Sequence, residues 1–315
     1  MGVALFQRRW GTGPPVIALH PLGLESFGFA GVGRVLARRG LQTIAVDLPG
    51  FGRSPAPPGP LTPAVLAEPV IALARALDEP PVVLGISLGG RVALEVALRA
   101  PEAVRAVIPI APALPRRRYR ALLAPVRLLD PRLAEWLPLE RVWPFLRWLA
   151  RTVETVPYLR DDELAQAGAR LVYYFACPAT RQSFLSAARE MILEPAFGPD
   201  GFWDRLPRLA VPALFVWGER DRLISTRYAH HVARVRPDLP QLLLPCVAHW
   251  LNGPHHRCLA EALAGAVAER GRRRRRPRAA AAAETRIGAA VLRTGPCVVS
   301  VPRRRPAARA VMEEG

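Results

Sequence analysis

A serine stands among glycines at Gly85-Ile86-Ser87-Leu88-Gly89-Gly90, directly after the apolar run Val82-Val83-Leu84 and ahead of a stretch with helical periodicity from Leu88 to Arg99. A nucleophile on so tight a strand-to-helix turn is forced into a strained conformation and projects from the sheet, which neighbours without side chains permit. The same turn aims the Leu88 N–H and the helix N-terminus at whatever charge develops on the group bound to Ser87, so Leu88 is a candidate oxyanion donor. A serine hydroxyl is a weak nucleophile at its free pKa and needs a neighbouring base, ordinarily a histidine held in one tautomer by a carboxylate. The chain must supply both further along.

His249 lies in Pro245-Cys246-Val247-Ala248-His249-Trp250, on a loop just past the last predicted strand. That is the sheet edge where ligands meet parallel α/β sheets. His230, His231, His255 and His256 fall inside predicted helices or at a helix start, where an exposed surface histidine is the ordinary explanation. The carboxylate should end the strand before the histidine loop, and Trp217-Gly218-Glu219-Arg220-Asp221 offers two, Glu219 and Asp221. An acid after the strand Ala106 to Ile110 is excluded, because no Asp or Glu occurs from Ala103 to Leu129.

These residues need a frame to bring them together. The runs Val16-Ile17-Ala18-Leu19, Thr43-Ile44-Ala45-Val46 and Val82-Val83-Leu84 are continuously apolar, as strands buried on both faces are, and a short strand is expected around residues 3–7 before them. Between them, Ser26 is placed to cap a helix that Gly40 stops, and Thr62-Pro63 to open one running to about Leu77, with Pro69 expected to kink it or break its ladder. Strands and helices alternating through short loops predict an α/β fold, a mostly parallel sheet covered by helices on both faces. The rhythm stops at Pro112 and resumes at Ala213-Leu214-Phe215-Val216-Trp217, with a helix from Ser225 to about Val235, a strand at Leu242-Leu243-Leu244 and a last helix over residues 255–270. The expected division is a core over residues 1–111 and 206–270, a helical insert over 112–205, and a basic, disordered tail over 271–315.

The insert holds 13 of the chain's 22 Phe, Trp and Tyr residues in less than a third of its length. It emerges between two strands at the edge that displays Ser87, so it is expected to form a lid with an apolar underside. Trp143, Trp148, Tyr173 and Tyr174, together with Trp250 beside the histidine, are the candidate pocket walls.

Half of the 315 residues are apolar, enough to bury a sizeable core, which rules out wholesale disorder. All 44 basic residues are arginine, and half of the formal +18 charge falls after residue 270, where Arg272 to Arg276 run consecutively beside an alanine run. Such a tail is able to touch anionic surfaces weakly, and no specific nucleic-acid partner is expected. Cys177, Cys246, Cys258 and Cys297 form neither a CxxC pair nor a zinc-ligand spacing, and no secretory h-region or eighteen-residue apolar run occurs. The expectation is a soluble cytoplasmic chain.

With these motifs in order, residues 3–270 resemble the α/β-hydrolase family, in particular its lid-bearing serine hydrolases. Gly85-Ile86-Ser87-Leu88-Gly89 is similar to that family's nucleophile elbow, Gly218-Glu219-Arg220-Asp221 to its G-x-x-D acid loop, Ala248-His249-Trp250 to its histidine loop, and Asp47-Leu48-Pro49-Gly50-Phe51-Gly52-Arg53-Ser54 to its D-x-P-G-x-G-x-S turn. The resemblance implies a Ser87, Asp221, His249 triad and a second oxyanion N–H from Leu22, although the family's His-Gly is His20-Pro21 here. It further implies a small-molecule substrate, hydrolysis of a carboxylic ester with an apolar moiety through an acyl-enzyme, and no metal or cofactor. Two other activities use the same triad: carbon–carbon bond hydrolysis of ring-cleavage products and cofactor-free perhydrolysis. A different class of function is a non-catalytic ligand sensor or a binding protein anchored by its tail.

Overall fold

The computed structural model describes residues 4–115, 178–245 and 247–249, a few positions between 130 and 172, and 293–294 with 297–298. Among the described residues, seven strands make one sheet: β1 (Gln7–Trp10), β2 (Pro15–Leu19), β3 (Gln42–Val46), β4 (Val82–Ile86), β5 (Ala106–Ile110), β6 (Phe215–Gly218) and β7 (Gln241–Leu244). Their order is β1-β3-β2-β4-β5-β6-β7, parallel throughout except for β1, which runs antiparallel to β3 at the edge.

The apolar runs are continuous because both faces of these strands are covered. Ile17, Leu19, Ile44, Val46, Val83, Val107, Phe215 and Trp217 point to one face, and Val16, Ala18, Ala45, Leu84, Ile108, Ile110 and Val216 to the other. Helices α2 (Pro63–Arg75), α3 (Leu88–Arg99) and α6 (Arg227–Val235) cover the first face, and α1 (Ala30–Arg38) the second, through Val32, Val35 and Leu36. Each fully buried aliphatic side chain contributes about 1.5–3 kcal/mol, so these two layers supply the main driving force for folding. Buried Trp217 donates Nε1–H to the Gln241 side chain (2.8 Å), whose amide donates to the Ala229 carbonyl (2.8 Å), tying β6, β7 and α6 together.

Three expectations are corrected. The first strand begins at Gln7, later than residues 3–7, where its ladder with β3 starts. Ser26 does not cap the first helix: it opens a 3-10 turn, Ser26–Phe29, and its backbone N–H goes to the Asp47 carboxylate (2.7 Å). Helix α2 opens as expected, with Thr62 Oγ1 accepting the Val65 N–H (3.2 Å), but it runs unbroken through buried Pro69, which forgoes one ladder bond. In the tail, Arg293–Thr294 and Cys297–Val298 pair antiparallel as β8 and β9. The rest of the tail, and the last helix expected over residues 255–270, lie outside the described residues. No helix among the described residues is long and apolar enough to cross a membrane.

Two helices end the stretch between β5 and β6, α4 (Pro178–Leu193) and α5 (Phe202–Arg205). Four buried or half-buried charges fasten them to α3. Arg91, fully buried, gives Nε–H and an Nη2–H to Glu194 and another Nη2–H to Glu95 (2.8 Å), and its guanidinium lies over the Phe202 ring at 4.6 Å. Glu95 in turn takes a bidentate pair from Arg205 (2.9 and 3.0 Å). Burial alone would raise the Glu95 carboxyl, but the Arg205 and Arg91 guanidiniums hold it below its ordinary value. Removing one partner from such a cluster strands a buried charge, so R91M is expected to cost about 3–5 kcal/mol of stability. Urea denaturation measures this, and a loss below about 1 kcal/mol, the value of an exposed pair, contradicts it.

Candidate active site

The strand order reverses between β2 and β4, which places a crevice at their carboxyl ends. Ser87 follows β4 there, and the loop His20-Pro21-Leu22 follows β2. Ser87 has φ 53° and ψ −113°, a conformation that costs a residue with a side chain about 1–3 kcal/mol. The surroundings enforce it: the Ser87 N–H donates to the Ile110 carbonyl (3.0 Å), and the Ser87 carbonyl accepts the N–H groups of Arg91 (2.9 Å) and Ala113 (3.0 Å). The flanking glycines are required sterically. A Cβ on Gly85 would stand 2.1 Å from the Gly89 carbonyl oxygen, and one on Gly89 2.2 Å from that of Leu19.

Leu88 is the first residue of α3, so its N–H has no acceptor within the helix and faces the crevice end. The loop carrying Leu22 is shaped by a Leu24 N–H bond to the Pro21 carbonyl (3.2 Å) and by His20. Completely buried, His20 accepts the Leu48 N–H at Nε2 (2.9 Å) and faces the Pro21 carbonyl with Nδ1 (2.9 Å), so Nδ1 carries the proton. His20 thus braces the Leu22 loop against the Asp47-to-Ser54 turn. Asp47 organises that turn by accepting the N–H groups of Ser26 (2.7 Å) and Arg53 (2.9 Å).

Burial pushes the His20 imidazole down from 6.5 to about 4, against the raising effects of the Pro21 carbonyl and Asp47. Between these two values the unfolded chain takes up a proton that the native protein refuses. The His20 contribution is therefore complete above about pH 6.5 and lost progressively as pH falls towards about 4, by about 3 kcal/mol in all. In H20Q this slope should disappear from urea midpoints measured between those pH values. Equal pH dependence in the two proteins contradicts the assignment.

The acid and histidine loops leave the ends of β6 and β7. Asp221 is buried, and Glu219 is exposed. One Asp221 oxygen accepts the N–H groups of Leu223 (2.8 Å) and Ile224 (2.7 Å), and the other stands 2.8 Å from His249 Nδ1. Because a carboxylate only accepts, Nδ1 donates and Nε2 is left as the basic nitrogen. The two loops are also joined through their backbones: the Arg220 N–H donates to the Val247 carbonyl (3.1 Å), and a Cβ on Gly218 would stand 2.2 Å from that same oxygen. Of the two acids the sequence offers, the structure brings Asp221 to His249.

Of the candidate pocket walls, Trp143, Tyr173, Tyr174 and Trp250 lie outside the described residues. Trp148 is 60% exposed and stacks on Phe145 at 5.8 Å, itself 61% exposed. Helix α4 lies within the insert expected over the site, although no residue of it was among the candidate pocket walls. It rests on the Asp47-to-Ser54 turn so closely that a Cβ on Gly50 would stand 2.7 Å from Ser183 Oγ, and Ser186 Oγ accepts the Leu61 N–H (3.0 Å). A cavity of about 770 Å³ opens beside this contact, lined by Pro57, Pro60, Leu61, Gln182, Ser183 and Ser186 among others. Among the described residues, no three His, Cys, Asp or Glu side chains gather where they could hold a metal ion.

Residues 14–255 match the family model of the alpha/beta hydrolase fold. The chain is 29% identical over 273 residues to a pimeloyl-[acyl-carrier protein] methyl ester esterase of Chromobacterium violaceum, covering 82% of this chain and 96% of that protein. It is 27% identical over 256 residues to a 2-(acetamidomethylene)succinate hydrolase of Mesorhizobium japonicum, covering 79% and 86%. Among solved structures, a thermophilic esterase from Thermogutta terrifontis superposes with a TM-score of 0.61 at 23% identity, over 86% of this chain and 94% of that one. With the model matched across both the elbow and the histidine loop, the chain belongs to the alpha/beta hydrolase fold family and is a hydrolase.

Proposed function

We propose that the protein hydrolyses a carboxylic ester with an apolar moiety through an acyl-enzyme on Ser87. The observation that carries this reading is the 2.8 Å contact of His249 Nδ1 with Asp221, which leaves Nε2 basic on the same sheet edge as a strained, glycine-flanked serine. The esterase relative supports the ester class of substrate.

In this mechanism Ser87 Oγ attacks the ester carbonyl while His249 Nε2 takes its proton, and Asp221 stabilises the imidazolium that results. The tetrahedral oxyanion accepts the N–H groups of Leu88 and Leu22. On collapse the carbon–oxygen bond breaks and His249 returns the proton to the leaving alcohol. Water, deprotonated by the same histidine, then attacks the acyl carbon and releases the acid, restoring Ser87. No metal or cofactor enters the balance. The insert over residues 112–205 is assigned as the lid that roofs the site between the two parts of the core, with Trp143, Tyr173, Tyr174 and Trp250 supplying apolar walls.

A fluorophosphonate probe tests the reading directly. The expected result is a single adduct whose mass maps to the peptide containing Ser87, together with turnover of p-nitrophenyl acyl esters. A folded protein that neither forms the adduct nor turns over any ester overturns it.

A further inference from the structure

Besides Ser87, Ala111 is the one non-glycine residue with positive φ among the described residues, at 39°. The two strained positions face each other. The Ser87 N–H donates to Ile110, immediately before Ala111, and the Ser87 carbonyl accepts from Ala113, two residues after it. Ala111 itself donates to the Val216 carbonyl of β6 (2.8 Å). The left-handed turn at Ala111 is what lets one short segment reach both the N–H and the carbonyl of the nucleophile: an extended residue there would carry Ala113 away from Ser87.

The far end of this segment is bolted down by side chains. Tyr228 donates its hydroxyl to the Leu114 carbonyl (3.2 Å), and Trp203 donates Nε1–H to the Pro115 carbonyl (3.1 Å). The two rings are nearly parallel, with centroids 6.4 Å apart, and His231 sits edge-on to Trp203 at 4.1 Å. Near its start the segment presses on α3, since a Cβ on Gly90 would stand 3.1 Å from Pro112 Cα. Ala111 is buried, and its backbone is held between the bond to Val216 and the two bonds that its neighbours make with Ser87. The strain has its use in the two bonds to Ser87.

We infer that residues 111–115 form a strap that holds Ser87 in its reactive conformation, with Ala111 as the positioning residue and Trp203 and Tyr228 as its anchors. This rests on the reading of Ser87 as nucleophile. A β-branched residue strongly resists positive φ, whereas glycine adopts it freely. A111V is therefore expected to lower kcat for a p-nitrophenyl ester on the order of a hundredfold at nearly unchanged KM, with a parallel fall in the rate of fluorophosphonate labelling, because a small displacement of the nucleophile is costly. A111G should keep kcat close to that of the parent, since glycine adopts the left-handed conformation freely and leaves the two bonds to Ser87 in place.

A purely structural role would lower the melting temperature of A111V without this split between kcat and KM. Parent-like kcat in a folded A111V, a change confined to KM, or equal losses in A111G and A111V each overturn the inference. Should A111V fail to fold, W203F combined with Y228F removes both anchoring donors while keeping an aromatic ring at each position. A selective fall in kcat supports the strap there, and an unchanged kcat overturns it. S87A run alongside separates the two levels: an S87A protein with parent-like kcat/KM sinks the nucleophile assignment, whereas a strongly impaired S87A beside a fully active A111V sinks the strap alone.

Discussion

S87A should reduce ester turnover to a small residue of the parent's and abolish fluorophosphonate labelling while leaving the protein folded. The hydroxyl is the one atom at the elbow able to form the acyl bond, and its loss removes covalent catalysis while leaving in place the Leu88 and Leu22 N–H groups proposed to receive the oxyanion. A residual rate above the uncatalysed reaction is therefore compatible with the assignment, as donors without a nucleophile retain some catalysis, about a thousandfold in related triads. Stability should rise or hold, because the backbone at Ser87 is fixed by its bond to Ile110 and by bonds from Arg91 and Ala113, none of which involves the side chain. Parent-like kcat/KM in the Ala variant at unchanged melting temperature would transfer the chemistry to another group.

D221N should come next, with a loss on the order of ten-thousandfold in kcat, as in triads whose orienting acid is neutralised. The physical cause is the tautomer. Asp221 takes two backbone N–H groups on one oxygen and the His249 Nδ1–H on the other. With an amide there, the group facing His249 is a donor if its oxygen keeps the Leu223 and Ile224 bonds, so Nδ1 must accept and Nε2 carries the proton. The base is then lost while the geometry stays intact. Exposed Glu219 makes no such contact, and E219Q should leave kcat within a few fold, as surface changes generally do. If E219Q proved the more damaging change, the acid would have been misassigned.

The sheet was readable because strands of a parallel sheet buried on both faces leave unbroken apolar runs, and the elbow because glycines are forced wherever backbones pass within contact of one another. What stayed hidden depends on partners far along the chain. Ser26 has the chemistry of a cap, but Asp47, twenty-one residues on, takes its N–H and turns the segment into a 3-10 start. Strand position alone offers Glu219 and Asp221 equally; the G-x-x-D resemblance favours Asp221, and the turn at Gly218 gives the physical reason, burying one and exposing the other. His20 was legible as the counterpart of the family's histidine but its bracing role was not, and Ala111 carries no local signal. The first is defined by a bond to Leu48, and the second adopts a conformation that its own side chain disfavours. Trp148 shows the limit of composition: aromatic density does not say which ring faces a ligand and which faces water.

The close approach of Gly218 to the Val247 carbonyl has a consequence for anyone recombining parts among members of this family. The acid loop and the histidine loop are separate stretches of sequence but behave as one casting. A chimaera that imports the acid loop with any larger residue at position 218 drives the Val247 carbonyl outward, and His249 lies only two residues beyond it. Crossover points between residues 218 and 249 would thus divide a single mechanical part, whereas a swap carrying both loops together transplants it whole.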